Sequence, residues 1–125
     1  MNLSLDDLWK LLKSKCKPNR NTIIIVPSRN FMVEMVAHAF EEEAALRMIN
    51  RGAFCVQITY ANHTVKVMVG YADAAEQVCR VKEQLLGRRD QDVILVRPLQ
   101  LTTKLRHEIQ CLCDTFEAQL SVVAK

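Results

Sequence analysis

Glycine and proline are scarce, three of each in 125 residues. Three glycines cannot line a glycine-rich phosphate cradle, and the Gly-Lys-Ser/Thr run that completes such a loop is absent. So few breakers also argue against long disordered linkers, and the expectation is a single domain over residues 1–125. No stretch approaches the ~18 apolar residues of a membrane span, so no membrane association is expected. The opening MNLSLDDLWK is acidic early and carries no signal-peptide apolar run. Charge of one sign is also lacking: the net value is +3, too small to indicate nucleic-acid binding alone. The five cysteines (Cys16, Cys55, Cys79, Cys111, Cys113) are odd in number and contain no Cys-x-x-Cys. Cys111 and Cys113 are two apart and point to different faces of a helix, which is poor zinc spacing. His38, His63 and His107 are scattered, without HExxH spacing. No metal or cofactor is expected. Most of the thiols sit in apolar patterns, as buried reduced cysteines do, which implies the cytoplasm or another reducing intracellular compartment.

Half of the residues are hydrophobic and a quarter charged. At this length roughly two-thirds of the unfolded surface can be buried, enough for a core without disulfides or metal. Ser4 followed by Asp7 resembles a capping box. Leu5, Leu8, Trp9, Leu12 and Cys16 then share a helical face, and Pro18 stops the helix. Residues 22 to 27 are apolar and β-branched without alternation, the pattern of a strand buried on both faces. Residues 31 to 51 read as one long helix ended by Gly52 in a left-handed cap. Residues 54–60 and 65–69 alternate around Ala61-Asn62-His63 and predict a β-hairpin. A third helix begins near Asp73, carries Ala75, Val78, Cys79, Val81, Leu85 and Leu86, and ends at Gly87. Val93 to Val96 is a second uninterrupted apolar strand. Thr102 or Thr103 caps a last helix whose apolar positions are Leu105, Ile109, Leu112, Phe116, Leu120 and Val123.

The order is α, then β-α-β-β-α-β, then α. If every connection reverses the chain, strand 22–27 runs parallel to strand 54–60 and antiparallel to the other two. The expected class is therefore α/β (α+β), a βαββαβ ferredoxin-like sheet with extra N-terminal and C-terminal helices. The first strand is central in that sheet. Its second face needs a cover, either from the outer helices or from another subunit.

Val26-Pro27-Ser28-Arg29-Asn30 turns a strand into a helix. It reads either as an anion site at a helix N-terminus with Arg29 as a charged fork, or as a turn in which Ser28 or Asn30 caps the helix. Arg97 follows strand 93–96, but the direction count puts Arg29 and Arg97 at opposite ends of the sheet. The end of the first helix is basic, with Lys13, Lys15, Lys17 and Arg20, and the loop after the third helix holds Arg88 and Arg89. With Arg29, these are the candidate phosphate or nucleic-acid contacts; each is equally a solvated charge. The stripe Leu105, Ile109, Leu112, Phe116, Leu120, Val123 is the candidate protein interface, with packing on the chain's own sheet as the other reading. Glu41-Glu42-Glu43 reads as a solvated helix face, since paired catalytic carboxylates need a cleft and an opposing group.

IIIVPSRNFMVEMVAHAF resembles the strand and helix that follow the nucleotide loop in helicases and in the ATPase cores of viral DNA-packaging terminases. VQITYANHTVKVMVG resembles the hairpin that follows there, and LLGRRDQDVILV the approach to the Walker B strand. The resemblance covers residues 22 to 97. The Walker A loop is missing, and Arg97-Pro98 stands where the Walker B acids would be, so neither phosphates nor Mg²⁺ would be held. What the resemblance implies is a relic that has lost its ATPase chemistry, and no catalytic residue carries over. The expected function is a non-catalytic binding or assembly module, an oligomeric adaptor with a second copy or another protein as partner. The alternative is a nucleic-acid-associated viral or mobile-element factor acting through the basic residues. A small enzyme with an unrecognised site is the third class.

Overall fold

The computed structural model of the chain describes residues 4–17, 19–42, 46–60, 63–70, 74–86, 90–97 and 102–124. Pro18, Asp73 and the helix-ending Gly87 lie outside them, as do Ala61 and Asn62 of the expected hairpin turn. At its centre is Asn21–Val26 (β1), buried from Thr22 onward. Its side chains alternate across the sheet, so Ile24 and Val26 enter one core while Ile23 and Ile25 enter another. Gln91–Arg97 (β5) does the same, with Ile94 and Val96 on one side and Val93 and Leu95 on the other. This is why both strands read as unbroken apolar runs.

Four helices supply the two covers. Leu5–Lys15 (α1) and Arg29–Glu42 (α2) lie over the first face, contributing Leu8, Trp9, Leu12, Phe31, Met32 and Met35 to its core. Ala74–Leu85 (α3) and Thr103–Thr115 (α4) lie over the second, with Val81, Leu85, Leu105, Ile109 and Cys113. Both capping expectations hold. The Ser4 hydroxyl accepts from Asp7 N at 3.1 Å, and Thr102 Oγ1 accepts from Leu105 N at 3.1 Å. No helix among the described residues is long and apolar enough to cross a membrane.

The α/β class stands, but the strand directions differ from the ferredoxin-like expectation. The sheet has six strands in the order β2-β3-β4-β1-β5-β6. Arg47–Arg51 (β2), Cys55–Tyr60 (β3) and His63–Val69 (β4) form an antiparallel meander, and Leu120–Ala124 (β6) closes the far edge. β1 is central, yet it pairs in parallel with both β4 and β5, and β5 pairs in parallel with β6. One overlooked strand explains the difference. Residues 47–51, expected at the end of a helix over 31–51, turn back as β2, and that extra reversal inverts the hairpin that follows. α2 and α3 consequently cover opposite faces. Gly52 is not a helix cap: it closes the β2–β3 turn, donating to Cys55 O at 2.7 Å.

The second departure is at the other end. The expected helix through Val123 stops at Thr115, and Glu117 takes a left-handed backbone at φ 56°. Leu120 then packs with the second core and Val123 with the first, as a strand requires. The turn is fastened by Arg20. Its Nε and Nη2 donate to the two carboxylate oxygens of Asp92 at 2.9 and 2.8 Å, and Nη2 also reaches Glu117 O at 3.2 Å. Asp92 Oδ1 accepts from Gln119 N at 2.9 Å as well. Asp92 is 3% exposed.

Burial opposes the charged form of Asp92. The Arg20 hydrogen bonds, the Gln119 N–H and the charges of Arg20 and Lys17 outweigh that opposition and hold its carboxyl below the ordinary 3.8. Removing one partner strands the other, so Asp92→Ala should lower unfolding stability by about 3–5 kcal/mol in urea titrations. The folded-state pKa is the lower one. The pair's contribution is therefore complete above the unfolded-state pKa, near pH 4, and fades as pH falls through the folded value. Asp92→Asn should flatten that part of the stability–pH curve.

Candidate functional site

Three surfaces bear on function: the turn after β1, the basic residues, and a groove beside β2. The first sits at a topological switch. β1 leads into α2 on one face of the sheet, and its parallel neighbour β5 leads towards α4 on the other. In open α/β sheets the crevice at the strands' carboxyl ends, where adjacent connections part, is the usual ligand position. Because the two strands are parallel, Arg29 and Arg97 fall at the same edge of the sheet, not at opposite ends. Yet the turn's polar groups are engaged. Ser28 Oγ accepts from Phe31 N at 3.1 Å as the α2 cap, and Arg29 Nε donates to Ala53 O at 2.9 Å, tying the helix start to the β2–β3 turn.

The basic residues divide between the two ends of the sheet. Lys15 and Lys17 are exposed where the chain enters β1, whose Asn21 N donates to Asp90 O at 2.8 Å. Arg29 is at the far end. Lys13 Nζ lies 5.6 Å from the centroid of the Trp9 ring, a cation–π distance. Arg20 is the structural fork described above. Its pKa is raised, first by the Asp92 hydrogen bonds, so it stays charged within the fold. Arg88 and Arg89 lie outside the described residues. A polar hollow of about 330 Å³ also opens at the β1 entrance, lined in part by Asn21, Gln57, Thr64, Lys66 and Gln91. Sequence reading missed it, although Gln57 and Lys66 were readable as facing polar positions of the hairpin.

The apolar stripe of the last helix is spent internally. Leu105 and Ile109 are buried, Leu112, Phe116 and Leu120 pack against the same core, and Val123 crosses to the other one. The thiols are less buried than their patterns suggest. Cys79 and Cys111 are exposed, Cys16 and Cys55 are half-buried, and Cys113 alone is buried; all are free. Burial pushes the Cys113 thiol up to about 11, so it is inert as a nucleophile near neutrality.

The open apolar surface is elsewhere. A groove of about 600 Å³ runs between α2 and the β2 edge, lined by Val33, Val36, Ala37, Phe40, Met48 and Val56, with Arg29 and Glu34 also on its wall. Val33 is 52% and Met48 41% exposed, and Phe54, in the β2–β3 turn beside it, is 62% exposed. Because β2 was read as helix, its edge and this groove had no counterpart in the sequence analysis. Among the described residues one group has the makings of a metal site: Asp6, His38 and Glu42, on α1 and α2.

No family model and no curated protein matches the sequence. Solved structures do match the fold. Two crystal forms of the large terminase from the thermophilic bacteriophage D6E align with TM-scores of 0.59 and 0.53 at 8% identity. The same terminase in complex with ADP aligns with a TM-score of 0.56 at 9% identity. Each alignment covers 93% of this chain but 28–29% of the terminase. The likeness is one of fold. It agrees with the terminase resemblance of residues 22 to 97 at that level.

If Ser28 is a cap and nothing more, Ser28→Ala should cost about 1 kcal/mol of stability. The same substitution should leave inorganic phosphate binding, measured by calorimetry, no different from wild type. Loss of a measurable phosphate affinity would restore the anion-site reading of the turn.

Proposed function

We propose that this chain is a non-catalytic assembly module built on a terminase-like ATPase fold. It binds a second copy of itself through the groove between α2 and β2. The observation that carries this reading is the pairing of a hole with a knob on one surface. Val33, Phe40 and Met48 line an open apolar groove, and Phe54 projects largely exposed from the adjacent turn. A two-fold contact places the same patch on both subunits, so the Phe54 of each copy fills the groove of the other. Arg29 and Glu34, of opposite sign, are both on the groove wall, which suits a self-complementary patch. The outer edge of β2 argues for side-chain docking over strand addition. It carries the exposed Arg47, and its pairing with β3 shifts register between Met48 and Asn50; charge and irregularity both discourage edge-to-edge pairing. The absence of a Gly-rich phosphate loop anywhere in the sequence supports the non-catalytic part.

A second reading is favoured by the terminase likeness itself: a nucleic-acid-associated viral factor in which Lys15, Lys17, Arg88 and Arg89 touch phosphates. The two readings respond oppositely to salt. Apolar association holds or strengthens as salt rises, whereas phosphate contacts weaken by about one counterion each. Sedimentation of the wild type should show a dimer that survives high salt. Phe54→Asp and Val33→Glu should each weaken it about tenfold or more, while Arg88→Glu with Arg89→Glu should leave it intact. A chain that stays monomeric at high concentration defeats the assembly reading. Salt-sensitive DNA or RNA binding that the double Arg substitution abolishes would install the second.

A further inference from the structure

Where α1 meets α2, three potential ligands converge. Asp6 belongs to the first turn of α1, and His38 and Glu42 are one turn apart on α2. Positions four apart share a helix face, so α2 offers its imidazole and carboxylate to the same point that Asp6 approaches from α1. The ligand atoms of all three lie within 4.8 Å of one another. His38 Nε2 and Asp6 Oδ1 are already 3.6 Å apart. Two ligands each about 2.1 Å from a tetrahedral metal are separated by about 3.4 Å, so that pair is nearly in place and Glu42, which is exposed, closes the remainder by a rotamer change.

Two details separate this cluster from a casual grouping of surface charges. His38 Nε2 is shut off from solvent, and the group it faces is the Asp6 carboxylate, 3.6 Å away. Asp6 divides its oxygens: Oδ2 takes the Lys10 ammonium at 2.9 Å, leaving Oδ1 turned to His38. Carboxylate ligands are commonly oriented by such an outer hydrogen bond.

We propose that Asp6, His38 and Glu42 bind a divalent transition metal, with water completing the coordination, and that the ion clamps α1 to α2. Imidazole with two carboxylates suits Zn²⁺, Co²⁺ or Ni²⁺ better than the hard oxygen-seeking cations. The clamp is structural in its effect. It joins the two helices that shield one face of β1, and its ligands lie on neither wall of the α2–β2 groove. It therefore stands independently of the assembly proposal.

Co²⁺ is the probe of choice because thiolate ligation reveals itself by an intense sulfur-to-cobalt band. The precaution matters, since Cys111 Sγ lies 3.6 Å from His107 Nε2 on α4 and offers a rival pair. The full chain carrying Cys111→Ser should take up one Co²⁺ with weak visible bands and no thiolate band. At tenfold excess over Kd the unfolding midpoint should rise by roughly 5 °C. His38→Gln and Glu42→Gln should each weaken uptake at least tenfold, and His107→Ala should not change it. Glu42 is exposed, so Glu42→Gln remains informative even if His38→Gln proves poorly folded. Absence of saturable uptake, or uptake that survives both substitutions, overturns the site and leaves only the 3.6 Å contact between His38 and Asp6.

Discussion

The rest of the structure depends on the fork between Arg20 and Asp92. Arg20 stands at the entrance to the central strand, Asp92 one residue inside its parallel neighbour, and the Arg20 guanidinium and Asp92 carboxylate together hold the α4–β6 turn through Glu117 O and Gln119 N. The left-handed non-glycine residues of the described chain gather at this point. Asn19 (φ 62°) precedes Arg20, Asp90 (φ 58°) approaches it at 3.5 Å, and Glu117 (φ 56°) supplies a carbonyl. Asn and Asp tolerate this region through their short polar side chains, whereas Glu117 costs about 1–2 kcal/mol of backbone strain. They persist because one charged fork draws three separate connections to the same spot. A neutral hydrogen bond would be a weak counterweight; a bidentate, mostly buried ion pair is a stronger one.

With that corner fixed, the sheet is shielded by its own chain. The alternating side chains of β1 and β5 feed two cores, and each core receives one pair of helices. No outside subunit is needed to cover either face. The open apolar surface is therefore lateral: the groove where α2 overhangs the edge strand β2, with Phe54 in the turn beside it. In this arrangement the last helix is a structural cover, and the meander lies at the sheet's edge.

The sequence showed these elements unevenly, for physical reasons. Strands buried on both faces announce themselves, and so did β1 and β5; the β3–β4 hairpin showed clean alternation, and Ser4 and Thr102 marked their helices. The edge strands were the failures. In Arg47–Arg51 polar and apolar residues mix as they do on a solvated helix, since an edge strand with an open side need not alternate strictly. In β6, Leu120 and Val123 happen to continue the three-and-four spacing of α4, although Glu117 breaks the helix between them. Missing β2 also inverted the deduced strand directions, because direction is a parity and one omitted reversal changes every later sign. The candidate sites suffered from distance. Arg20 and Asp92 are 72 positions apart, and nothing local marks them as partners. The spacing of His38 and Glu42 was readable, but Asp6 reaches them only through the packing of α1 on α2.

The parallel arrangement of β1 has a kinetic consequence. Thr22 is in register with Val65 on one side and Asp92 on the other, and Arg20 reaches as far as Glu117, 97 positions on. Loops of that length must close before any of these pairings is rewarded, and mixed α/β chains with such contacts fold more slowly than helical bundles, whose contacts are local. During that interval the β3–β4 hairpin, whose contacts are local, is free to form first and wait. The strand at the centre of the finished sheet is thus among the last to find both of its neighbours.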